Sequence, residues 1–394
     1  MFSDYRWQYF SSLTEGPTRS RAELFLESVD WPALQAFTAT RRNGSDCRIL
    51  PHIGLGYNHM VRIIEFDDGY RWVARLKLPP LSKPNASESE QVSDTTMICE
   101  VNTISLLRQK TSIPIPKIHA FEARFNCSVG APFMLMDCLK GNVGMDLGMT
   151  IPPEKKQTFL NALAKIHVQL SKVQLPKIGT VLSMNPDGTC QQGPIPGLGG
   201  PFTTATEFFE AWSARVKFGK SDEQLRAASG QHADDIAYST SLFPQTIKKL
   251  ADKLSVCDHG PFPICHGDFG HNNIIVDDNY KVLGVIDWEG AFAAPWEIFG
   301  DFPLNLSIVP PAMDVPWAYN EDGSPKSADV AQRFADQEEY VAAVKEEENR
   351  SGGVHQLSEA LENSERQQLA TAMRLFRDGK PGWYSKVVDK FLGN

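Results

Sequence analysis

Positive charge is in short supply: 39 lysines and arginines stand against 48 aspartates and glutamates, a formal net charge of −9. An acidic chain offers the phosphate backbone of nucleic acid little to hold, so no nucleic-acid partner is expected. Long apolar runs are missing too, and none approaches the roughly 20 residues of a membrane span. The opening stretch MFSDYRWQYF lacks the basic run and apolar core of a secretory signal. No CxxC pair occurs among the seven cysteines, Cys47, Cys99, Cys127, Cys138, Cys190, Cys257 and Cys265. Scattered and odd in number, they fit free thiols in a reducing cytosol better than a disulfide framework or a zinc site. The expectation is a cytoplasmic protein with no membrane partner, in which the sequons at Asn85, Asn126 and Asn305 are chance matches. Internal repeats are absent.

What is present is a change of pattern along 394 residues, enough chain for two packed domains. Residues 1–45 read as helical and peripheral, with WPALQAFTATRR as a short helix. Two apolar, β-branched runs then flank Asp67-Asp68-Gly69, which predicts a hairpin. Residues 79–96 are rich in Pro, Ser and other polar residues and read as an exposed loop. A helix is expected over 97–110, with Val101, Ile104 and Leu106 or Leu107 on its buried face. PFMLMDCL (132–139) reads as a strand ending at Lys140-Gly141. From 152 the chain turns mostly helical, interrupted by a Gly/Pro-rich loop over 185–204, a second hairpin over 272–288 and an irregular stretch over 292–325. The tail from 327 reads as acidic helices.

The strongest chemical signal is ICHGDFGHNNIIVDDNYKVLGVIDWEG (264–290). Its two β-runs, IIV and KVLGVI, are separated by a turn sequence. Closing that hairpin brings Asn273, just before the first run, beside Asp287, just after the second. Both lie near the loop that carries Asp268. Side-chain oxygens of Asn and Asp suit Mg²⁺, which takes few protein ligands and completes its shell with phosphate and water. Asp268 is then left to accept a proton from an attacking hydroxyl. In the first part, Gly54-Leu55-Gly56-Tyr57-Asn58 falls between two strands and is placed to cover phosphates, although the third glycine of GxGxxG is missing.

The segment His266-Gly267-Asp268, with Asn273 and Ile286-Asp287-Trp288-Glu289, resembles the aminoglycoside phosphotransferase and choline-kinase group. PFMLMDCLKG, LAKIH (163–167) and GAFAAPWEIFGDFP (290–303) are similar to its large fungal branch. The resemblance implies an α+β, protein-kinase-like fold of two lobes. An N-terminal extension (1–22) would precede a small β-rich, nucleotide-binding N-lobe (23–139) and a larger helical C-lobe (140–394). It implies transfer of the γ-phosphoryl group of ATP, with Mg²⁺, to a hydroxyl of a small molecule. Carried over, Asp268 is the base, His266 braces its loop, and Asn273 and Asp287 hold the metal. Gly54, Gly56 and Asn58 would cover the phosphates. Arg75 stands where kinases have a lysine on the α/β-phosphates, with Lys77 on the same face as its rival. Glu100 would pair with that cation, and the backbone from Asp137 to Leu139 would meet adenine. Glu289 and Asp301, with acids of the tail such as Asp336 and Glu346–Glu348, point to an acceptor that carries an amine or another positive group.

Blander readings stand beside these. Trp288 and Trp296 read as core, His167 as packed in a helical stripe, and Glu346–Glu348 as a solvated face. His271 fits a solvated loop as well as a phosphate contact. A metal-hydrolase reading of His266, Asp268 and His271 leaves Asn273, Asp287 and the glycine turn without a role. A protein kinase would share the machinery, but Gly270 stands where such enzymes have a lysine after the catalytic aspartate. A nucleotide-binding pseudokinase or regulatory module is the non-enzymatic alternative.

Overall fold

The computed structural model describes residues 5–7, 10, 13–80 and 86–393, with backbone alone for 86–94. In chain order come α1 (Pro17–Ser28), α2 (Trp31–Arg41), β1 (Cys47–Leu55), β2 (His59–Phe66), β3 (Arg71–Lys77), α3 (Ala86–Lys110), β4 (Ile118–Glu122) and β5 (Phe133–Asp137). Then follow α4 (Pro153–Ser171), β6 (Gln174–Leu175), β7 (Thr180–Met184), β8 (Cys190–Gly193), α5 (Ala205–Arg215), α6 (Asp222–Ser229), α7 (Ala233–Leu254) and β9 (Phe262–Cys265). The last third holds β10 (Ile274–Val276), β11 (Val282–Val285), β12 (Phe292–Ala293), α8 (Trp296–Phe299), α9 (Ala328–Arg350), α10 (Gln356–Glu362), α11 (Ser364–Arg377) and α12 (Tyr384–Phe391). The α+β class expected from the sequence, β-rich first and mostly helical after, is the one observed. No helix among the described residues is long and apolar enough to cross a membrane.

The chain divides into two compact units. The first comprises Met1–Arg108, Ile113–Pro152 and His271–Glu289, and the second Gln109–Ser112, Pro153–Gly270 and Gly290–Asn394. The β10–β11 hairpin, which a cut after residue 139 assigns to the C-lobe, thus belongs with the β-rich unit.

The first unit is built on an antiparallel sheet of order β1-β2-β3-β5-β4. Alternation along β3 sorts its side chains between two faces. Trp72, Ala74 and Leu76 join Ala22, Phe25 and Leu34 of α1 and α2 in one core. On the opposite face, Val73 packs with Met97 and Val101 of α3 and with Met134 and Met136 of β5. That second face also carries Arg75 and Lys77. Asp67-Asp68-Gly69 makes the β2–β3 turn as expected, with Gly69 at φ 79°, and the Gly69 N–H donates to the Phe66 carbonyl at 2.8 Å. The exposed loop read over 79–96 is a correction: α3 already runs from Ala86, while 81–85 lie outside the described residues. A polar run free of Pro and Gly between 86 and 96 is compatible with a helix, and polarity alone is no helix stop.

In the second unit, β6, β9 and β12 form a small sheet, and α4, α5 and α7 supply buried apolar stripes as their periodicity predicts. Trp212, Phe243, Phe376 and Tyr384 meet edge-on or tilted, tying α5, α7, α11 and α12 together. The loop expected over 185–204 is in part a hairpin, because β8 pairs with β7 there. Its turn is built on Asp187, whose carboxylate accepts the Thr189 backbone N–H at 2.9 Å.

Candidate functional site

In the first unit the chemistry gathers around Arg75. Its guanidinium donates to Glu100 at 2.7 Å and also pairs with Asp287. Arg75 and Glu100 are both buried. Burial works against a charged arginine, but Glu100, Asp287 and Glu289 outweigh it and hold the pKa above its usual value. The other Glu100 oxygen accepts the Trp288 backbone N–H at 3.1 Å. Glu100 therefore fastens β3 and the end of the β10–β11 hairpin to α3 at once. Trp288 itself is core, as expected.

Asp287 has φ 63°, in the left-handed region that non-glycine residues seldom enter. Asp and Asn tolerate it better than other residues with a side chain, and such conformations concentrate at functional sites. At the opposite end of the hairpin base, Asn273 closes a short 3-10 turn and is buried. Its carbonyl accepts the Ile286 N–H at 2.9 Å, next to the Ile274–Val285 pair. The hairpin thus brings the backbones of 273 and 286–287 together as the sequence implied. His271 is buried rather than solvated. Burial pushes its pKa down to about 4, which leaves the ring neutral.

Lys77 forms a second ion pair, with Glu289 at 2.7 Å. The other Glu289 oxygen accepts from the Asn58 side chain at 2.8 Å, and His59 Nε2 lies 3.7 Å from the carboxylate. Burial raises the Glu289 pKa, but Lys77 and Arg75 more than reverse that. His59 is driven well below its usual value, first by burial and then by the same two cations. Glu289 is thereby a brace between the glycine turn and β3, not a free carboxylate for an acceptor. Of the two glycines, Gly54 at the end of β1 is the more closely approached, since a Cβ there would stand 3.3 Å from the Trp7 indole.

Within the stretch expected to form the hinge, the Asp137 N–H is already committed. It donates to the Lys117 carbonyl at 3.0 Å. The Asp137 carboxylate takes the Lys117 N–H at 2.9 Å and His119 Nε2 at 2.8 Å. The Asp137 N–H is therefore held within the sheet. Leu139 fills the space that a side chain at Gly284 would need, its Cδ1 2.3 Å from that Cβ position.

In the second unit, Asp268 is exposed on the segment after β9. Its backbone N–H donates to His266 Nδ1 at 3.3 Å, and His266 is buried, so the histidine braces the loop as expected. Gly267 is at φ 83°. A Cβ there would come within 2.4 Å of the Gly290 carbonyl, so the tight turn before Asp268 requires glycine. Asp301 is a correction. Its carboxylate is held by Arg374 Nε at 2.8 Å, Thr371 Oγ1 at 2.7 Å and Gln367 Nε2 at 3.2 Å, all from α11. Asp336 pairs with Lys156 at 2.6 Å, and Glu348 accepts the Leu357 N–H at 3.0 Å. His167 is packed as expected between the Tyr340 hydroxyl at 3.0 Å and the Phe299 carbonyl at 3.1 Å.

The His59 and Lys77 links to Glu289 were missed in the sequence. The only signal was Glu289 two residues past Asp287, a spacing that also fits a solvent-facing residue.

Asp301→Asn is expected to lower stability by about 1.5–3 kcal/mol through loss of its charged hydrogen bonds, with no change in the KM of any acceptor. Thermal unfolding and steady-state kinetics on one preparation check both halves. A shifted acceptor KM at unchanged melting temperature would return Asp301 to the acceptor.

Comparison with known proteins places these features in a group. The chain is 26% identical over 305 residues to the Clavilactone A biosynthesis cluster protein Y of Ampulloclitocybe clavipes, covering 72% of this chain and 68% of that one. Among solved structures, it is similar to a macrolide 2'-phosphotransferase type I at 16% identity and a TM-score of 0.43, over 92% of this chain and 96% of the other. It is also similar to a thermostable mutant of the aminoglycoside phosphotransferase APH(4)-Ia in a ternary complex with AMP-PNP and hygromycin B. That match has 16% identity, a TM-score of 0.44, and covers 92% and 98% of the two chains. Residues 53–297, more than half of the chain and the stretch that holds the glycine turn, Arg75, Glu100, Asp268 and Asp287, match the phosphotransferase enzyme family, and the chain belongs to it.

Proposed function

We propose that the protein transfers the γ-phosphoryl group of ATP to a hydroxyl of a small molecule. The observation that carries this reading is the buried Arg75, gripped by Glu100 and by the left-handed Asp287 on one face of the sheet. A cation held this firmly is preorganised for phosphate charge, and phosphoryl transfer is catalysed chiefly by positioning and charge neutralisation. Arg75 would hold phosphate oxygens, while Glu100 keeps its guanidinium in place. Asn58 and the glycine turn would close over the phosphates, steadied by Glu289. Asp268 would take the proton of the acceptor hydroxyl as its oxygen bonds to the γ-phosphorus and the bond from that phosphorus to the β-bridging oxygen breaks, releasing ADP.

Asn273 and Asp287 are the residues that would hold Mg²⁺. Oxygen donors at the two ends of one hairpin base fit a hard cation better than the imidazole-containing group His59, Asp287 and Glu289, whose ligand atoms lie within 4.8 Å of one another. When bound, the metal supplies neutralisation of phosphate charge. No charge preference is proposed for the acceptor, because Glu289, Asp301, Asp336 and Glu348 are committed to partners within the fold.

The test is incubation with γ-labelled ATP and Mg²⁺ against a fractionated metabolite extract, read by mass spectrometry. Label on a hydroxyl compound supports the proposal. Nucleotide binding without transfer to any fraction would favour a regulatory role on the same fold.

The two cations are separable. Arg75→Ala is expected to weaken nucleotide binding more than Lys77→Ala does. It also leaves Glu100 buried without its cation, at a cost of about 3–5 kcal/mol, so titration is done well below the melting temperature with Arg75→Lys as the charge-conserving control. If only the Lys77 change weakens binding, Lys77 is the phosphate cation.

A further inference from the structure

We infer that the Arg75 face of the first unit is also a binding site for the chain's own N-terminal segment, and that Tyr5–Trp7 and a nucleotide exclude one another there. The inference rests on the nucleotide reading of that face. Residues directly opposite each other in an antiparallel sheet share a face. Gly54 pairs with Val61, and Val61 with Arg75, so all three present the same one. The Cβ that Gly54 lacks would point there, meeting the Trp7 indole at 3.3 Å and the Val61 side chain at 3.4 Å. Trp7 therefore lies beneath the glycine turn, on the side that carries the cation.

Two residues earlier, the Tyr5 hydroxyl bonds to Cys138 Sγ at 3.1 Å, within the 137–139 stretch expected to meet adenine. Burial first, then that contact, raises the Tyr5 phenol above its usual pKa. Between the two rings, the Arg6 N–H donates to the Asn142 side chain at 2.6 Å. The Arg6 guanidinium reaches Asp278 in the β10–β11 turn at 3.3 Å, an exposed pair that adds little. The Tyr5 and Trp7 rings lie 5.4 Å apart. The segment is thus fastened at the glycine turn, after β5 and at the hairpin. Its two aromatic rings lie against the face proposed for the nucleotide. Residues 5–7 are not the peripheral extension that the sequence implied.

A segment docked nine-tenths of the time would lower apparent nucleotide affinity about tenfold, because only the open fraction binds. In the full-length protein, Trp7→Ala is therefore expected to tighten ATP·Mg²⁺ binding about tenfold by calorimetric titration, with the melting temperature recorded to confirm folding. In the unmodified protein, saturating ATP·Mg²⁺ should speed amide exchange in the peptide containing residues 5–7 and slow it in the peptide containing 54–58. Slower exchange in both peptides or weaker nucleotide binding by the Trp7 variant would overturn the inference by making the segment part of the nucleotide site, and equal binding would overturn it by showing that the two do not compete. No response in either peptide would overturn both this inference and the nucleotide reading. Protection of 54–58 alone overturns only the inference.

Discussion

Asp268→Asn is expected to cut turnover by roughly two to four orders of magnitude, the usual worth of a general base. That equals about 3–5.5 kcal/mol on the barrier. The loop should hardly notice the change. Asparagine matches aspartate in shape, the hydrogen bond to His266 comes from the backbone of residue 268, and the side chain is exposed. The tight turn depends on Gly267, which the substitution leaves alone. Nucleotide affinity and melting temperature should therefore stay at wild-type values while kcat collapses. The measurement is steady-state transfer to the identified acceptor, alongside nucleotide titration and thermal unfolding. Turnover within a few-fold of wild type would remove Asp268 from the role of base, and a lowered melting temperature would mean that the loop had been disturbed.

The second large effect is expected at Asp287, where charge and backbone must be separated. Alanine removes the oxygen proposed to hold the metal, strips Arg75 of one partner and leaves at φ 63° a residue that tolerates the left-handed region less well than aspartate does. The conformational part is only a fraction of the about 1–2 kcal/mol that the left-handed region costs an L-residue, since aspartate already bears most of it. Asparagine tolerates the left-handed region, so Asp287→Asn isolates the loss of charge. Both variants should lose the Mg²⁺-dependent part of nucleotide binding, worth several kcal/mol or about a hundredfold and more. Binding without metal should persist or improve, because Arg75 is released from a competing carboxylate. Titration with and without Mg²⁺ decides the matter. A variant that keeps its metal dependence would exclude Asp287 as a ligand.

The parts of this molecule that were readable in its sequence are those where local chemistry has one solution. Asp67-Asp68-Gly69 between β-branched runs could only turn back on itself. Asn273 and Asp287 at the ends of a short hairpin had to become neighbours along its base. Glu100 was readable as the partner of Arg75 only through the family resemblance. The misreadings have a common origin in residues whose role is set by distant chain. Glu289 and Asp301 were read as free acids because Lys77 and Arg374 lie 212 and 73 residues away along the chain. The backbone from Asp137 to Leu139 was expected to meet adenine, yet the Asp137 N–H is taken by the Lys117 carbonyl in the sheet. The first half of α3 carries no apolar stripe to announce it. Tyr5–Trp7 is too short for any periodicity, and only its docking gives it a place.

The hairpin that completes the first unit bears on how the protein is made. Val285 donates its N–H to the Pro114 carbonyl at 2.8 Å, Asn142 bridges to Val276, and Leu139 occupies the hollow left by Gly284. All three contacts close on chain that a ribosome delivers only after most of the second unit's first half. At about 5–20 residues per second, that delay is on the order of ten seconds. During it all five strands of the sheet are available to pair, but Asp287, one of the two acidic partners of Arg75, does not yet exist. A nascent chain stopped before His271 should then be open to protease around 114–142, and resistance there would contradict the account. The Arg75 face, in this view, is born unfinished, and the site proposed for nucleotide is incomplete until the chain has passed Glu289.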